Sequence, residues 1–225
     1  EVGRIKYAEG AEIYVPSREE QVFTKLAQVS AENGGLVPPE AIRHIWREII
    51  STSISAEKQL VIAFLGPEAT FTEQAAMKNF GSQVSYRALP SISDVFSAVT
   101  VRDADYGVIP IENSTGGAVF HSLDLLAETE LKIVAQVYLA IEHCLLSHYP
   151  LEAIREVRSK DQALLQCRTW LARNLPHARQ IDRESTAEAV REAATETGVA
   201  AIASALAADR YGVPIVQRAI QDRHD

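Results

Sequence analysis

From Val61 onward, short apolar runs alternate with segments that open on Ser or Thr and carry Glu or Gln three residues later. Val61–Leu65 is a continuous apolar run of strand length, and Gly66–Pro67 turns the chain behind it. Thr70 with Glu73 is a capping box, which predicts a helix through Phe80. A strand at Val84–Leu89, a helix at Ser91–Val101, a strand at Tyr106–Ile111 and a helix at Ala118–Glu128 follow. Lys132–Ser147 is β-branched in part and lacks helical periodicity. It reads as one long strand, or two in line, crossing between two lobes. Ile154–Ser159, Ala178–Ile181, Val199–Ala203 and Pro214–Ile220 read as further strands. Ser159 with Gln162 predicts a helix to Asn174, with Leu164, Cys167, Leu171 and Leu175 on its buried side. Ser185 with Glu188 opens another helix, and Ser204–Tyr211 is a short one. This alternation predicts an α/β fold with a parallel or mixed sheet.

Residues 1–58 read differently, as helix throughout. Ser17 with Glu20, after Pro16, predicts a helix over Ser17–Asn33, broken by Gly34 and Gly35. Pro38 or Pro39 suits the first turn of a second helix. Ile42, Ile45, Trp46, Ile49 and Ile54 then make one apolar stripe. Two such helices make a thin core, so this segment is expected to pair with another chain, giving a homodimer. The domain boundary falls between 58 and 60. The chain begins at Glu1 rather than Met, inside a helical pattern, and reads as a fragment.

The formal net charge of −8 argues against nucleic acid or an anionic membrane as partner. An acidic ligand must therefore be held by local groups. Cys144 and Cys167 lack metal-type spacing and read as buried thiols of a cytoplasmic protein. No metal site is expected. No apolar run reaches membrane-spanning length, and no signal peptide is visible.

The stretch Asp105–Val119, DYGVIPIENSTGGAV, presents Glu112, Asn113, Ser114 and Thr115 where a buried strand meets a helix. Gly116 and Gly117 allow close approach of the backbone. Taken alone, the stretch fits a polar turn with an N-cap as well as an anion site. Gly66–Thr72, Glu112–Gly117, Ser159–Gln162 and Glu184–Thr186 share this strand-to-helix design. Caps at the carboxyl ends of neighbouring strands face one crevice, and together they can converge on an acidic ligand.

IPIENSTGGAV resembles the signature of prephenate dehydratase, and AFLGPEATFTEQAA, SKDQALLQC, ESTAEAV and GVAAIASALAADRYGVPIV resemble its other motifs. The resemblance covers residues 60–225. It implies a two-lobed, periplasmic-binding-protein-like α/β domain with the site between lobes. The implied reaction is prephenate to phenylpyruvate, carbon dioxide and water, without a cofactor. It assigns Glu112, Asn113, Ser159, Gln166 and Glu184 to catalysis. Thr70, Ser114, Thr115, Ser185 and Thr186 bind substrate. A buried carboxyl at Glu112 or Glu184 is expected either to supply the proton or to serve as a structural hydrogen-bond partner. Ala69 stands where the motif usually has Gly, and Lys160–Asp161 replace a His-Pro pair. The family's Asn-x-Thr-Arg-Phe motif and phenylalanine-binding ACT domain are expected beyond Asp225.

EVGRIK, REEQVF and AIRHIWREIISTS resemble the helical type of chorismate mutase, whose site for a dianion is built from cationic side chains on several helices. Lys6, Arg18, Glu19, Ser53 and Glu57 fall at matching positions, with Glu57 where many members carry Gln. The front of the family's first helix lies before Glu1. Read singly, Lys6, Arg18 and Glu19 also fit a solvated helix face. The sequence thus points to a bifunctional enzyme of phenylalanine biosynthesis. The competing class is a non-catalytic small-acid-binding module with a helical dimerisation arm.

Overall fold

The computed structural model describes residues 14–113 and 116–222, in two compact units. The first comprises residues 14–64, Ala75–Ile109 and Leu123–Tyr138; the second comprises Leu65–Gln74, Pro110–Ser122 and residues 139–222. An α/β fold preceded by a helical segment is what the sequence led us to expect.

In the first unit, α1 (Pro16–Glu32) and α2 (Pro39–Glu57) form an antiparallel hairpin. Glu19 meets Arg47, Glu20 meets Arg43, and Ser30 reaches Val37 across the seam. Pro16 starts α1 behind Val15, which offers no side-chain cap, so the expected Ser17 capping box is not used. Proline's fixed φ and missing N–H suit that first position and make the cap at Ser17 unnecessary. β1 (Val61–Leu65), β2 (Ser85–Leu89) and β3 (Tyr106–Val108) form a sheet of order β2-β1-β3, with β1 and β3 parallel. Successive strand residues face opposite sides. Ile62 packs with Tyr14, Ile54 and Phe80, the last from α3 (Phe71–Phe80). Ala63 packs with Val95 and Ala98 of α4 (Ile92–Thr100). The helical hairpin therefore shares a core with this sheet, and the compact division does not fall at the residue 58–60 boundary.

The second unit carries a five-stranded sheet of order β10-β6-β9-β7-β8, where β6 is Cys144–Leu146, β7 Glu156–Ser159, β8 Arg179–Asp182, β9 Val199–Ala203 and β10 Ile215–Gln217. β7, β8 and β9 are parallel, and β6 runs antiparallel to both of its neighbours, β9 and β10. Every residue of β9 is buried, as a central strand covered on both faces requires. Helix α8 (Thr186–Thr195) covers one face through Ala189, Val190 and Ala193. Leu164, Cys167, Leu171 and Leu175 cover the other, as their spacing predicts. Both thiols are buried, and burial pushes that of Cys167 up to about 12.

Three expectations change. Lys132–Ser147 is not one strand: residues 130–143 carry no helix or strand, and only Cys144–Leu146 joins a sheet. Ile133 and Tyr138 are more than two-thirds exposed, and β propensity without ladder partners does not make a strand. The helix expected up to Asn174 breaks at Cys167 into α6 (Asp161–Gln166) and α7 (Arg168–Asn174). The Asp222 carboxylate accepts from Thr169 N–H and Trp170 N–H and so caps α7 from a distant part of the chain. Glu112–Gly117 is not a strand-to-helix loop. Glu112–Asn113 (β4) pairs antiparallel with Gly117–Ala118 (β5), and helix α5 starts only at Phe120 and runs to Glu128. Gly117 takes φ +73°, which closes the ribbon without a Cβ penalty.

Candidate active site

The chemistry gathers in the second unit at the carboxyl edge of its parallel strands. Register sets Ser159 opposite Asp182 and Arg158 opposite Ala201, so the turns after β7, β8 and β9 leave on one side. β6 begins at the same edge, with Cys144 opposite Ala203. That placement brings His143 to it.

Two of the four expected caps hold. Ser185 accepts from Glu188 N–H at 3.1 Å, and Glu188 accepts from Glu184 N–H at 3.2 Å. Thr186 is the first residue of that helix. Thr70 accepts from Glu73 N–H at 3.5 Å, and the buried Glu73 carboxylate accepts from Ala69 N–H. The sequence reading did not single out Ser204. It caps α9 (Ala205–Tyr211) and donates to Ala69 carbonyl at 3.3 Å, tying the Thr70 loop to this edge. Ala69 sits at φ +65°, the left-handed region to which glycine is better suited.

Ser159 does not cap. Its helix is preceded by Lys160, and the fully buried hydroxyl donates to the Ile202 carbonyl at 2.6 Å. A buried hydroxyl takes an available acceptor, and here the neighbouring strand supplies one. Glu112 and Glu184 are exposed, so the buried carboxyl expected at one of them is absent. Ser114 and Thr115 lie outside the described residues, as does Lys6.

What the fold brings together is a line of carboxamides and an imidazole. Asn113 Oδ1 accepts from Gly116 N–H at 3.0 Å. A Cβ on Gly116 would stand 2.9 Å from Gln162 Nε2, so the end of that side chain lies close against the ribbon. Gln166, one turn further along α6, has its Oε1 2.7 Å from His143 Nε2. The His143 ring packs edge-on against Phe71, with centroids 5.3 Å apart. Burial pulls the pKa of His143 below the usual histidine value, against a smaller opposing effect of Gln166. His143 carried no motif in the sequence; only its position before the strand Cys144–Leu146 marks it.

The helical hairpin holds a second polar group. Glu19 is buried and its carboxylate lies 2.5 Å from Arg47 Nη1; burial raises its pKa while Arg47 opposes the rise. Arg47 stacks over the Phe23 ring at 4.9 Å, and its Nε is buried without a partner. Arg47, too, escaped the sequence reading. Arg18 and Ser53 are exposed, and Ser53 donates to Ile49 carbonyl at 2.9 Å. Ser53 and Glu57 lie about 9 Å and 15 Å along α2 from Arg47 at 1.5 Å per residue. These mutase candidates are therefore spread along the hairpin rather than gathered at Glu19. Among the described residues, no cluster of His, Cys, Asp and Glu is arranged to hold a metal, and no helix is long and apolar enough to cross a membrane.

The sequence model of prephenate dehydratase matches residues 62–225. The chain belongs to the prephenate dehydratase family. The model of chorismate mutase type II matches residues 1–58. A bifunctional chorismate mutase/prephenate dehydratase of Aquifex aeolicus is 42% identical over 226 residues, covering 100% of this chain and 62% of that protein. One of Neisseria gonorrhoeae is 44% identical over 214 residues, covering 93% and 58%. The chain thus spans about three-fifths of the curated relatives it matches. The crystal structure of a prephenate dehydratase from Arthrobacter aurescens, in complex with L-Phe, has a TM-score of 0.69 at 29% identity over 74% of this chain and 57% of that one. The dehydratase span contains the whole line from Phe71 to Gln166, and the mutase span contains the Glu19–Arg47 pair.

Proposed function

We propose that the chain is part of a cytoplasmic, homodimeric chorismate mutase/prephenate dehydratase that serves L-phenylalanine biosynthesis. Its dehydratase portion takes up one proton and converts prephenate to phenylpyruvate, carbon dioxide and water. Aromatisation drives that step. The protein's task is to hold two carboxylates and to help the ring hydroxyl leave. The observation that carries this reading is the convergence of Asn113, Gln162, Gln166 and His143 beside the capped helices of Thr70 and Ser185, within the matched dehydratase span.

In this reading the Asn113 and Gln166 amides donate to the substrate. Thr70, Ser185 and Thr186, with Ser114 and Thr115 of the ribbon tip, add N–H and O–H donors at helix N-termini and in the turn. These neutral donors suit a protein of net charge −8, where a dianion needs local polarity. Ser159 supports the edge from beneath through Ile202. Glu112 and Glu184, at the exposed rim, are the candidate proton carriers. In the helical hairpin, Lys6, Arg18, Glu19, Ser53 and Glu57 are the chorismate-binding candidates, with Glu19 held by Arg47. Exposed Ile45 and Ile49 are the proposed dimer contact.

Calorimetric titration with prephenate tests the binding half. Wild type should bind, and Asn113→Ala should weaken binding roughly tenfold, the effect of one lost charge-assisted hydrogen bond. No binding by the wild type sinks the reading. Light scattering tests the dimer: Ile45→Asp with Ile49→Asp should halve the molar mass, and an unchanged mass counts against the contact.

A further inference from the structure

The capping box at Thr70 closes one residue off the usual register. In such a box the Glu three residues into the helix accepts from the N–H of the cap residue itself. Here Glu73 reaches one residue further back, to Ala69 N–H. Glu73 is 2% exposed, and its other carboxylate oxygen accepts from Arg210 Nη2 at 2.8 Å. A buried carboxylate stripped of its cation is costly, so this arm of Arg210 carries weight. The second arm, Nη1 to Glu68 at 2.6 Å, lies at the surface and adds little.

Arg210 sits in the last turn of α9, and Ser204 caps the same helix about 9 Å away at 1.5 Å per residue. Ser204 is buried; its hydroxyl accepts from Ala207 N–H at 3.2 Å and donates to the Ala69 carbonyl at 3.3 Å. One helix thus grips both backbone groups of Ala69, the N–H through Glu73 and the C=O directly. All of these residues belong to the second unit. Ala69 holds φ +65°, a conformation that alanine keeps only where its surroundings fix it. In a trans peptide the N–H points away from the C=O, so the grip on the Ala69 carbonyl also sets the direction of Thr70 N–H.

We propose that Arg210 is a positioning residue: acting through Glu73, and with Ser204 at the other end of α9, it holds the Ala69 backbone so that Thr70 faces its ligand in one fixed orientation. This rests on the dehydratase reading for the ligand that Thr70 meets, but the hold on the loop stands without it.

Two measurements on the natural full-length protein test the proposal. Crystal structures of wild type and Arg210→Met compare the loop directly. Wild type should keep Ala69 at positive φ with Glu73 on its N–H, and in the variant the Ala69–Thr70 peptide should be turned or take more than one position. An unchanged loop overturns the proposal. Prephenate kinetics then compare Arg210→Met, Thr70→Val and the double variant at a temperature where each is folded. Arg210→Met should lower kcat/KM by about tenfold or more, chiefly through KM, as a binding group moved off its ligand would. The double variant should lose less than the product of the single losses, because both changes act on one contact. Losses that simply multiply, or no loss from Arg210→Met, overturn the proposal; a residue serving stability alone would lower the melting point and leave kcat/KM in place. Where Arg210→Met does not fold, Arg210→Lys, which keeps a cation beside Glu73 without the planar fork, replaces it with the same signs. A wild type inert toward prephenate is a failure of the dehydratase reading, and the crystal structures still decide whether Arg210 holds the loop.

Discussion

Gly81 and Ser51 meet so closely that a Cβ on Gly81 would lie 2.5 Å from the Ser51 Cβ. Ser51 is wholly buried, and its hydroxyl accepts from Gln83 N–H at 3.0 Å. Gly81 also sits at φ +76°. The helical hairpin and the first sheet are joined at a point where only glycine fits. Gly81→Ala should cost about 2–4 kcal/mol, from overpacking and the left-handed backbone together. Adding Ser51→Gly removes the close Cβ but also the acceptor of Gln83 N–H, and it puts glycine inside α2, so it should return little of the loss. Chemical denaturation of both variants measures this, and an undiminished Gly81→Ala protein would contradict it.

Ala69 makes the converse prediction. It holds φ +65° beside the Thr70 cap, where alanine is strained. Ala69→Gly removes that strain at the loss of a small buried methyl and some unfolded-state entropy. The expected result is a change between zero and about 1 kcal/mol of stabilisation. A clear destabilisation in the thermal midpoint would show that packing of the methyl outweighs the backbone.

Histidine burial predicts a pH effect. The pKa of His143 is lowered from the ordinary 6.5 by burial, so below 6.5 the unfolded chain binds a proton that the folded chain resists. Its share of stability is full above pH 6.5 and is lost as pH falls toward the folded value. The slope is at most about 1.4 kcal/mol per pH unit for one proton. Phe71 and Gln166, which touch the ring, are uncharged and do not reverse the sign. Denaturation midpoints from pH 7 downward should fall more steeply in wild type than in His143→Gln. Parallel curves would rule out His143 as the group responsible.

Arg158 is 8% exposed; its Nη1 donates to Glu192 and Glu196 and its Nη2 to Glu156 and Glu196, at 2.7–2.9 Å. Removing it leaves partly buried carboxylates facing one another. Arg158→Met should cost about 2–4 kcal/mol, somewhat below the range for a fully buried pair because Glu196 is half exposed. Arg158→Lys should rescue little, since one ammonium cannot reproduce the planar fork. Full rescue by lysine would show that charge alone matters.

Local rules reached far along this chain. The proline at the start of α2, the caps at Thr70 and Ser185, and the buried stripe Leu164–Leu175 could be read from spacing because each depends on neighbours within one or two turns. What escaped depended on distant partners. Ser159 looked like a cap until Ile202 offered a carbonyl, and the break at Cys167 follows from Asp222. Lys132–Ser147 had strand composition but no partner for most of its length, and the glycines after Asn113 made a ribbon where a helix start was expected. His143 gains its meaning only from Gln166 and Phe71, which lie 23 and 72 positions away in sequence.

Conversion of prephenate to phenylpyruvate, followed by phenylpyruvate absorbance in the natural full-length protein and its Gln166→Ala variant, tests the central claim most directly. The account predicts turnover by wild type and a loss of about 10²-fold or more in kcat/KM when that carboxamide is removed. Turnover unchanged by Gln166→Ala, or no turnover by wild type, would contradict it.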